Sequence, residues 1–303
     1  MSAALQRFEV LQRNAAIGMR FWDLATATSA IDGLVVEVFP RANPNARRRA
    51  WPNPSAVYVA HSVSGLRSFE FDGADAPEQP WTNAAQSPMR GYRVEVRDPH
   101  GRFLPLAFDA DLPIRGLLNT AAPALAGVLS GDTGSPPLFV TPRVPLFSAP
   151  SRPPPQPLAV VYAQLREQGS LRIPAWAVLG VAIDGVVRGL GLADADGNVA
   201  VMFPYPEPPR VPLASPPEAR SDFRWTVELT AYGPPSLPSP PPPTLAQIPD
   251  LADVLAQLAT PRTVVASVES PALPLRLDYR VPLTARTAGL PAAEASYLLL
   301  APA

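Results

Sequence analysis

"GLGLADADGNVAVMFPYP", residues 189–206, sets Asp194 and Asp196 one residue apart, a spacing that could hold a cation, share a proton between two acids or shape a turn. A calcium loop of the EF-hand kind continues with oxygen ligands at alternate positions and closes on a bidentate glutamate. Here Val199, Val201 and Phe203 follow instead. The Asp196-Gly197 pair lies between two apolar runs, where a turn needs residues that tolerate positive φ, and the turn reading explains both residue types. "RDPHGRFLPL" repeats the pattern, with Asp98 and Gly101 at the spacing of Asp194 and Gly197. Loop chemistry found twice points to topology before catalysis. "IDGLVV" at Ile31 and "IDGVV" at Ile183 add two short matches toward related halves.

Other catalytic groupings are missing from the sequence. His61 and His100 are the only histidines, without a third ligand or a helical H-x-x-x-H spacing, and there is no cysteine. "GLGLAD" lacks the third glycine and following helix of a dinucleotide fingerprint, and no G-x-S-x-G elbow or P-loop occurs. Asp72 and Asp75 in "FEFDGADAPE" read as a polar loop. No catalytic, cofactor-binding or metal-binding residue is therefore assigned, and no enzymatic activity is expected. One dense charge run, "RANPNARRRAWPNP", puts Arg47, Arg48 and Arg49 beside Trp51, a grouping able to take a phosphate or a partner's carboxylate. The same run also suits a solvated hairpin tip.

Whatever these residues do, β-strands must position them. Proline makes up 42 of 303 residues, and a residue that lacks an amide donor and breaks helix interiors at this density argues against α-rich and doubly wound folds. Short runs rich in β-branched and aromatic residues recur between turn signals at 33–40, 55–63, 91–98 and 102–110, then at 158–165, 175–183, 198–205 and 224–232. In "YRVEVRD", Tyr92, Val94 and Val96 share one face and Arg93, Glu95 and Arg97 the other. These patterns predict an all-β chain of two tandem antiparallel β-sandwiches: residues 1–118, a Pro-rich linker over 119–157, and residues 158–303. The second carries a Pro-rich arm at 233–244 and a short helix at 249–260. In that helix Asp250 and Asp253 suit the positive end of the dipole, while Leu251, Val254, Leu255 and Leu258 form an apolar stripe for a core or an interface.

With 25 basic against 26 acidic residues, the chain has no global field to recruit nucleic acid or an anionic membrane. The opening "MSAALQRFEVLQRNAAIGMRFW" lacks a secretory pattern, and no apolar run is long enough to span a bilayer. A cytoplasmic protein is expected.

The stretch "AWAVLGVAIDGVVRGLGLADADGNVAVMFPYPEPP", Ala175 to Pro209, resembles the carboxypeptidase regulatory-like, or transthyretin-like, β-sandwich. The order of "FWDLATATSAIDGLVVEVFPRANP", "SAVYVAHSVSGLRSFEF", "YRVEVRDPHGRFLPLAFDADLPIRGL" and "PLFSAPSRPPPQPLAVVYAQL" ahead of it is similar to accessory proteins of phage-tail-like contractile injection systems. In that family tandem sandwiches serve as cap adaptors or baseplate parts. The resemblance implies a non-enzymatic building block without cofactor, assembled in the cytoplasm. Its expected partners are tube, sheath, cap or baseplate subunits in six-fold or three-fold symmetry, with neither nucleic acid nor membrane. Arg48, Trp51, Phe139, Phe147 and Tyr297 are the candidate partner contacts; Asp98, Gly101, Asp194, Asp196 and Gly197 are structural turns. The alternative is a carbohydrate- or peptide-binding sandwich that uses exposed tryptophans.

Overall fold

The computed structural model describes residues 16–65, 89–113, 143–155, 157–207, 223–233, 248–268 and 274–302. The linker up to 142, the arm beyond Gly233, Phe139, Trp81, Asp72 and Asp75 lie outside the described residues.

Alternation builds the first unit. Its strands are β1 (Ile17–Met19), β2 (Phe21–Asp23), β3 (Thr28–Ser29), β4 (Val35–Pro40), β5 (Arg48–Pro52), β6 (Tyr58–Ala60), β7 (Met89–Arg97), β8 (Leu106–Pro113) and β9 (Val144–Leu146). They form a six-stranded sheet, β1-β6-β5-β4-β7-β8, and a three-stranded one, β3-β2-β9. Tyr92, Val94 and Val96 of β7 face inward with Val36 and Val38 of β4, and Phe21 and Leu146 of the smaller sheet close the same core. Phe21 meets Tyr58 edge to face at 5.2 Å. The arginine run, expected as a hairpin tip, is instead strand β5, paired on both sides with β4 and β6.

The second unit holds β10 (Leu158–Glu167), β11 (Val178–Ile183), β12 (Val186–Leu192), β13 (Asn198–Pro204), β14 (Arg224–Tyr232), β15 (Pro261–Val265), β16 (Leu275–Asp278), β17 (Leu283–Ala285) and β18 (Tyr297–Leu300). Its sheet runs β12-β11-β14-β15-β18-β10-β13, with β16 on β14 and β17 on β10. It curls around a single core that includes Val161, Leu165, Leu179, Ile183, Val201, Phe203, Trp225 and Leu298. The protein is thus all-β with sandwich-like sheets, and the described residues hold one short helix. Pairing is mostly antiparallel; β2 with β9 and β10 with both β17 and β18 are parallel.

Curling brings β12 and β13, the two ends of the sheet's order, against each other. Glycines make this approach possible. A Cβ on Gly191 would stand 2.7 Å from the Ala200 carbonyl oxygen and 2.9 Å from Val199 and Val201 side chains. One on Gly189 would meet Val201 at 3.0 Å and Phe203 at 3.1 Å. The "GLG" of the opening stretch is therefore a close-packing device.

The helix, α1 (Leu251–Ala256), continues as a 3-10 turn over Gln257–Ala259. Asp250 caps it by accepting from the Ala252 amide at 2.9 Å. Its stripe enters a core shared by both units: Leu251, Val254, Leu255 and Leu258 pack with Leu24, Leu104 and Phe147 of the first and Val178, Leu190 and Leu192 of the second. At the N-terminal end the Arg93 guanidinium donates to Asp250 at 2.9 Å, and the Ala107 amide to the Pro249 carbonyl at 2.9 Å. At the other end Gln257 Nε2 donates to the Trp176 carbonyl at 3.0 Å. A second seam joins Ala25 to Val160, Ala200 and Met202 on the outer side of β10 and β13.

Residues 143–155, within the stretch expected to act as linker, are built into the first unit. They supply β9, and the Ala149 amide bonds to the Arg102 carbonyl at 2.9 Å. Arg152 is buried in a two-pronged pair with Asp23, at 3.0 and 2.7 Å, and donates to Ser148 Oγ at 2.9 Å. Asp23 also accepts from the Ala25 amide and the Thr26 hydroxyl. Removing one partner of such a pair strands the other and costs about 3 to 5 kcal/mol.

Replacing Gly191 with alanine should cost about 2 to 3 kcal/mol, because the methyl must displace strand backbone. Alanine at Gly185, where nothing stands within 4 Å of a Cβ, meets only the φ penalty of about 1 kcal/mol. Urea titration of both variants checks the order.

Candidate functional site

The Asp-x-x-Gly loops share one geometry. Asp98 accepts from the amides of His100 at 3.1 Å and Arg102 at 2.9 Å, while the Gly101 amide donates to the Asp98 carbonyl at 3.0 Å. Asp194 accepts from the amides of Asp196 at 2.9 Å and Asn198 at 2.8 Å, and the Gly197 amide donates to the Asp194 carbonyl at 3.1 Å. Gly101 and Gly197 both have positive φ, +66° and +82°. A third copy joins β5 to β6: Asn53 accepts from the Ser55 and Val57 amides at 3.0 Å each, and Ala56 takes the glycine's place at φ 58°. In each loop the acidic or amide side chain is occupied by its own backbone. The "IDG" matches, by contrast, are not equivalent: both Asp184 and Gly185 have positive φ but only Gly33 does in the first, and Ile31 is exposed where Ile183 is buried.

Asp98 has a further partner, Arg102 Nε at 2.9 Å. Burial pushes its carboxyl up, but the Arg102 side-chain bond, the two amide bonds and the guanidinium charge together outweigh that and hold it below the usual carboxylate range. Arg166, not singled out by the sequence, links two candidate regions. It donates to the Leu165 and Asp196 carbonyls at 2.8 Å each and lies 4.8 Å over the Tyr297 ring. Gly197 leaves room for it, since a Cβ there would stand 2.9 Å from Arg166 Nη1.

The candidate contacts separate. Trp51 is 60% exposed, and Arg49, not Arg48, lies over its indole at 4.3 Å. A strand's two-residue period explains this: positions 49 and 51 share the outer face, while 48 shares its side with buried Ala50. The exposed Arg48 reaches only the Ser62 carbonyl, at 3.5 Å. Tyr297 is half-buried. Phe147, 2% exposed, fills the core between the units and presents nothing to an outside partner.

Around Trp51 the outer face is charged. Arg47 lies 4.2 Å over Phe39 and donates to Glu37 at 3.1 Å and Glu95 at 2.8 Å. Arg97 donates to Glu95 at 3.2 Å. The Arg47 hydrogen bond is the main reason that the Glu95 carboxyl is held below its ordinary range; burial opposes it, and the charges of Arg47, Arg97 and Arg93 reinforce it. Farther along the sheet Arg41 and Arg93 pair with Asp109, Asp111 and Asp250.

Trp22 carries Arg143 at 4.3 Å over its ring. Trp225 is buried beside Tyr205, the two rings 5.4 Å apart and tilted 35°. Tyr205 meets Tyr279 edge-on at 4.9 Å. These tilts do not make the flat aromatic platform that a sugar ring stacks on. Trp176 sits in a turn at φ 63°, an uncommon conformation for a bulky residue. No group of three or more potential metal ligands converges among the described residues, and no described helix is long and apolar enough to cross a membrane.

The sequence matches no family model and none of the curated proteins with which it was compared.

Asp98 gives a pH-dependent prediction. Its folded-state pKa is depressed, so the stability it contributes is complete above its unfolded value, about 3.9, and is lost as pH falls through the lower folded value. Asp98→Asn keeps the loop geometry that Asn53 already provides. It should therefore cost about 1 kcal/mol at pH 7, given the partial exposure of Arg102, and the gap to the parent should close below pH 4. Urea titrations from pH 7 to pH 3 measure this.

Proposed function

We propose that the protein is a non-enzymatic structural adaptor, a rigid block that bridges neighbouring subunits of a phage-tail-like contractile particle. The observation that carries this reading is the core shared between the units. Because α1 is held by Arg93 and Pro249 contacts at one end and by Trp176 at the other, the two units keep a fixed relative geometry. A fixed spacing between two sets of loops is what a bridging subunit needs, and it lowers the ordering cost of a multivalent contact.

Two further features fit. The Pro-rich stretch 234–243 lies in the sequence between Gly233, which follows β14 of the second unit, and Pro249, whose carbonyl accepts from the Ala107 amide of β8 in the first. Extended proline is stiff, so an arm of this kind engages a neighbour at small entropic cost. Trp51 with Arg49 supplies the aromatic and guanidinium pair that interfaces favour. The sequence resemblance to cap and baseplate components names the assembly, in six-fold or three-fold symmetry and formed in the cytoplasm.

Light scattering after size exclusion tests the reading, using the purified chain alone and mixed with tube, sheath, cap and baseplate proteins encoded beside it. A stoichiometric complex with at least one of them is expected. A monomer that ignores all of them contradicts the proposal.

A further inference from the structure

We propose that the outer face of β5, centred on Trp51 and Arg49, docks an extended carboxylate-rich segment of a neighbouring protein subunit. This rests on the adaptor reading above and specifies the chemistry of one of its contacts.

Charge on this face is imbalanced. Among the described residues, the outer face of β4, β5 and β7 carries the guanidiniums of Arg47, Arg49, Arg93 and Arg97 beside two carboxylates of its own, Glu37 and Glu95. Both are taken: Glu37 by Arg47, and Glu95 by Arg47 and Arg97. Arg49 stands directly across from Glu37 in the ladder, yet among the described residues it donates to no carboxylate and rests on the Trp51 ring. Farther along the same sheet Arg41 and Arg93 have Asp109, Asp111 and Asp250. Among the described residues, Arg49 is thus the guanidinium of this face that has no carboxylate.

The second part is shape and polarity. A guanidinium lying over an indole face keeps N–H groups available at its edge, and their fork matches a carboxylate. Trp51 offers apolar surface beside it, continued by its cross-strand neighbour Val59. Tryptophan and arginine are both enriched where interface energy concentrates. The occupant that completes this face bears carboxylates spaced along an extended chain. Nucleic acid fits less well, because its affinity needs many phosphate contacts and the chain's formal net charge is -1.

The indole N–H signals of 15N-labelled protein provide the test, with the Trp51 signal assigned as the one lost in Trp51→Phe. The probe is acetylated, amidated hexaglutamate, with hexalysine and an eight-residue oligothymidylate as comparisons. Hexaglutamate should shift the Trp51 signal in a saturable, salt-sensitive way, hexalysine should not, and Arg49→Gln should abolish the shift. Arg49→Lys, which preserves the strand's charge if the glutamine unsettles the sheet, should weaken it, because an ammonium cannot stack and fork at once. No shift with hexaglutamate, an equal shift in both Arg49 variants, or tighter binding of the oligothymidylate would each overturn the proposal. A normal hexaglutamate response in a chain that joins none of the particle proteins counts against the adaptor reading and leaves this contact standing. Assembly without any hexaglutamate response does the reverse.

Discussion

The apolar contact gathered around α1 holds the architecture together. Four side chains of a helix too short to persist alone, Leu251, Val254, Leu255 and Leu258, are buried between two β units. Each contributes about 2 kcal/mol when removed from water. The same contact covers Val178, Leu190 and Leu192 on the outer side of β11 and β12, which would otherwise face solvent next to the glycine-lined junction with β13. Local strain is tolerated there as well. Trp176 adopts positive φ, and among the described residues its indole Nε1 and the Gln257 Oε1 are buried without a hydrogen-bond partner. The surrounding packing, with the single bond from Gln257 Nε2 to the Trp176 carbonyl, offsets these costs.

Polar interactions add specificity to that frame. Exposed pairs such as Arg41 with Asp111 are worth little individually. The buried Asp23–Arg152 pair differs, because both groups are out of water and satisfied by several bonds. It fixes where the chain leaves the first unit before β10 begins. The Arg93–Asp250 bond fixes where α1 starts. Together they define the entrances to the shared core, and on the outer face of β5 Arg49 has no carboxylate among the described residues.

Much of this was legible where one residue's neighbours decide its fate. Period-two alternation in Tyr92–Arg97 exposed both faces of β7, and the helix stripe identified the buried face of α1. The Asp98 and Asp194 loops were legible because glycine marks positive φ. The Asn53 loop was hidden because Ala56 occupies the same position. The unbroken apolar runs in β10 and β13 were visible as strands, but their reason was not: Val160, Ala200 and Met202 are covered by Ala25 from a distant part of the chain. Parallel pairing of β10 with β18 and the Trp176–Gln257 contact likewise join residues far apart, and no local pattern encodes them. At the candidate site, Trp51 stood out as an aromatic beside arginines. The choice of Arg49 over Arg48 required knowing that the run is a strand, since only then does a one-residue step change faces.

If the helix-centred core makes one rigid body of the two units, they must unfold together. Differential scanning calorimetry of the parent and of Leu255→Asp measures this most directly. The account predicts one transition for the parent, with calorimetric and van't Hoff enthalpies equal, and in the variant either a lower single transition or two transitions that both lie below the parent's. Two separate transitions in the parent, or a variant in which one unit melts as before while only the other is affected, would contradict it.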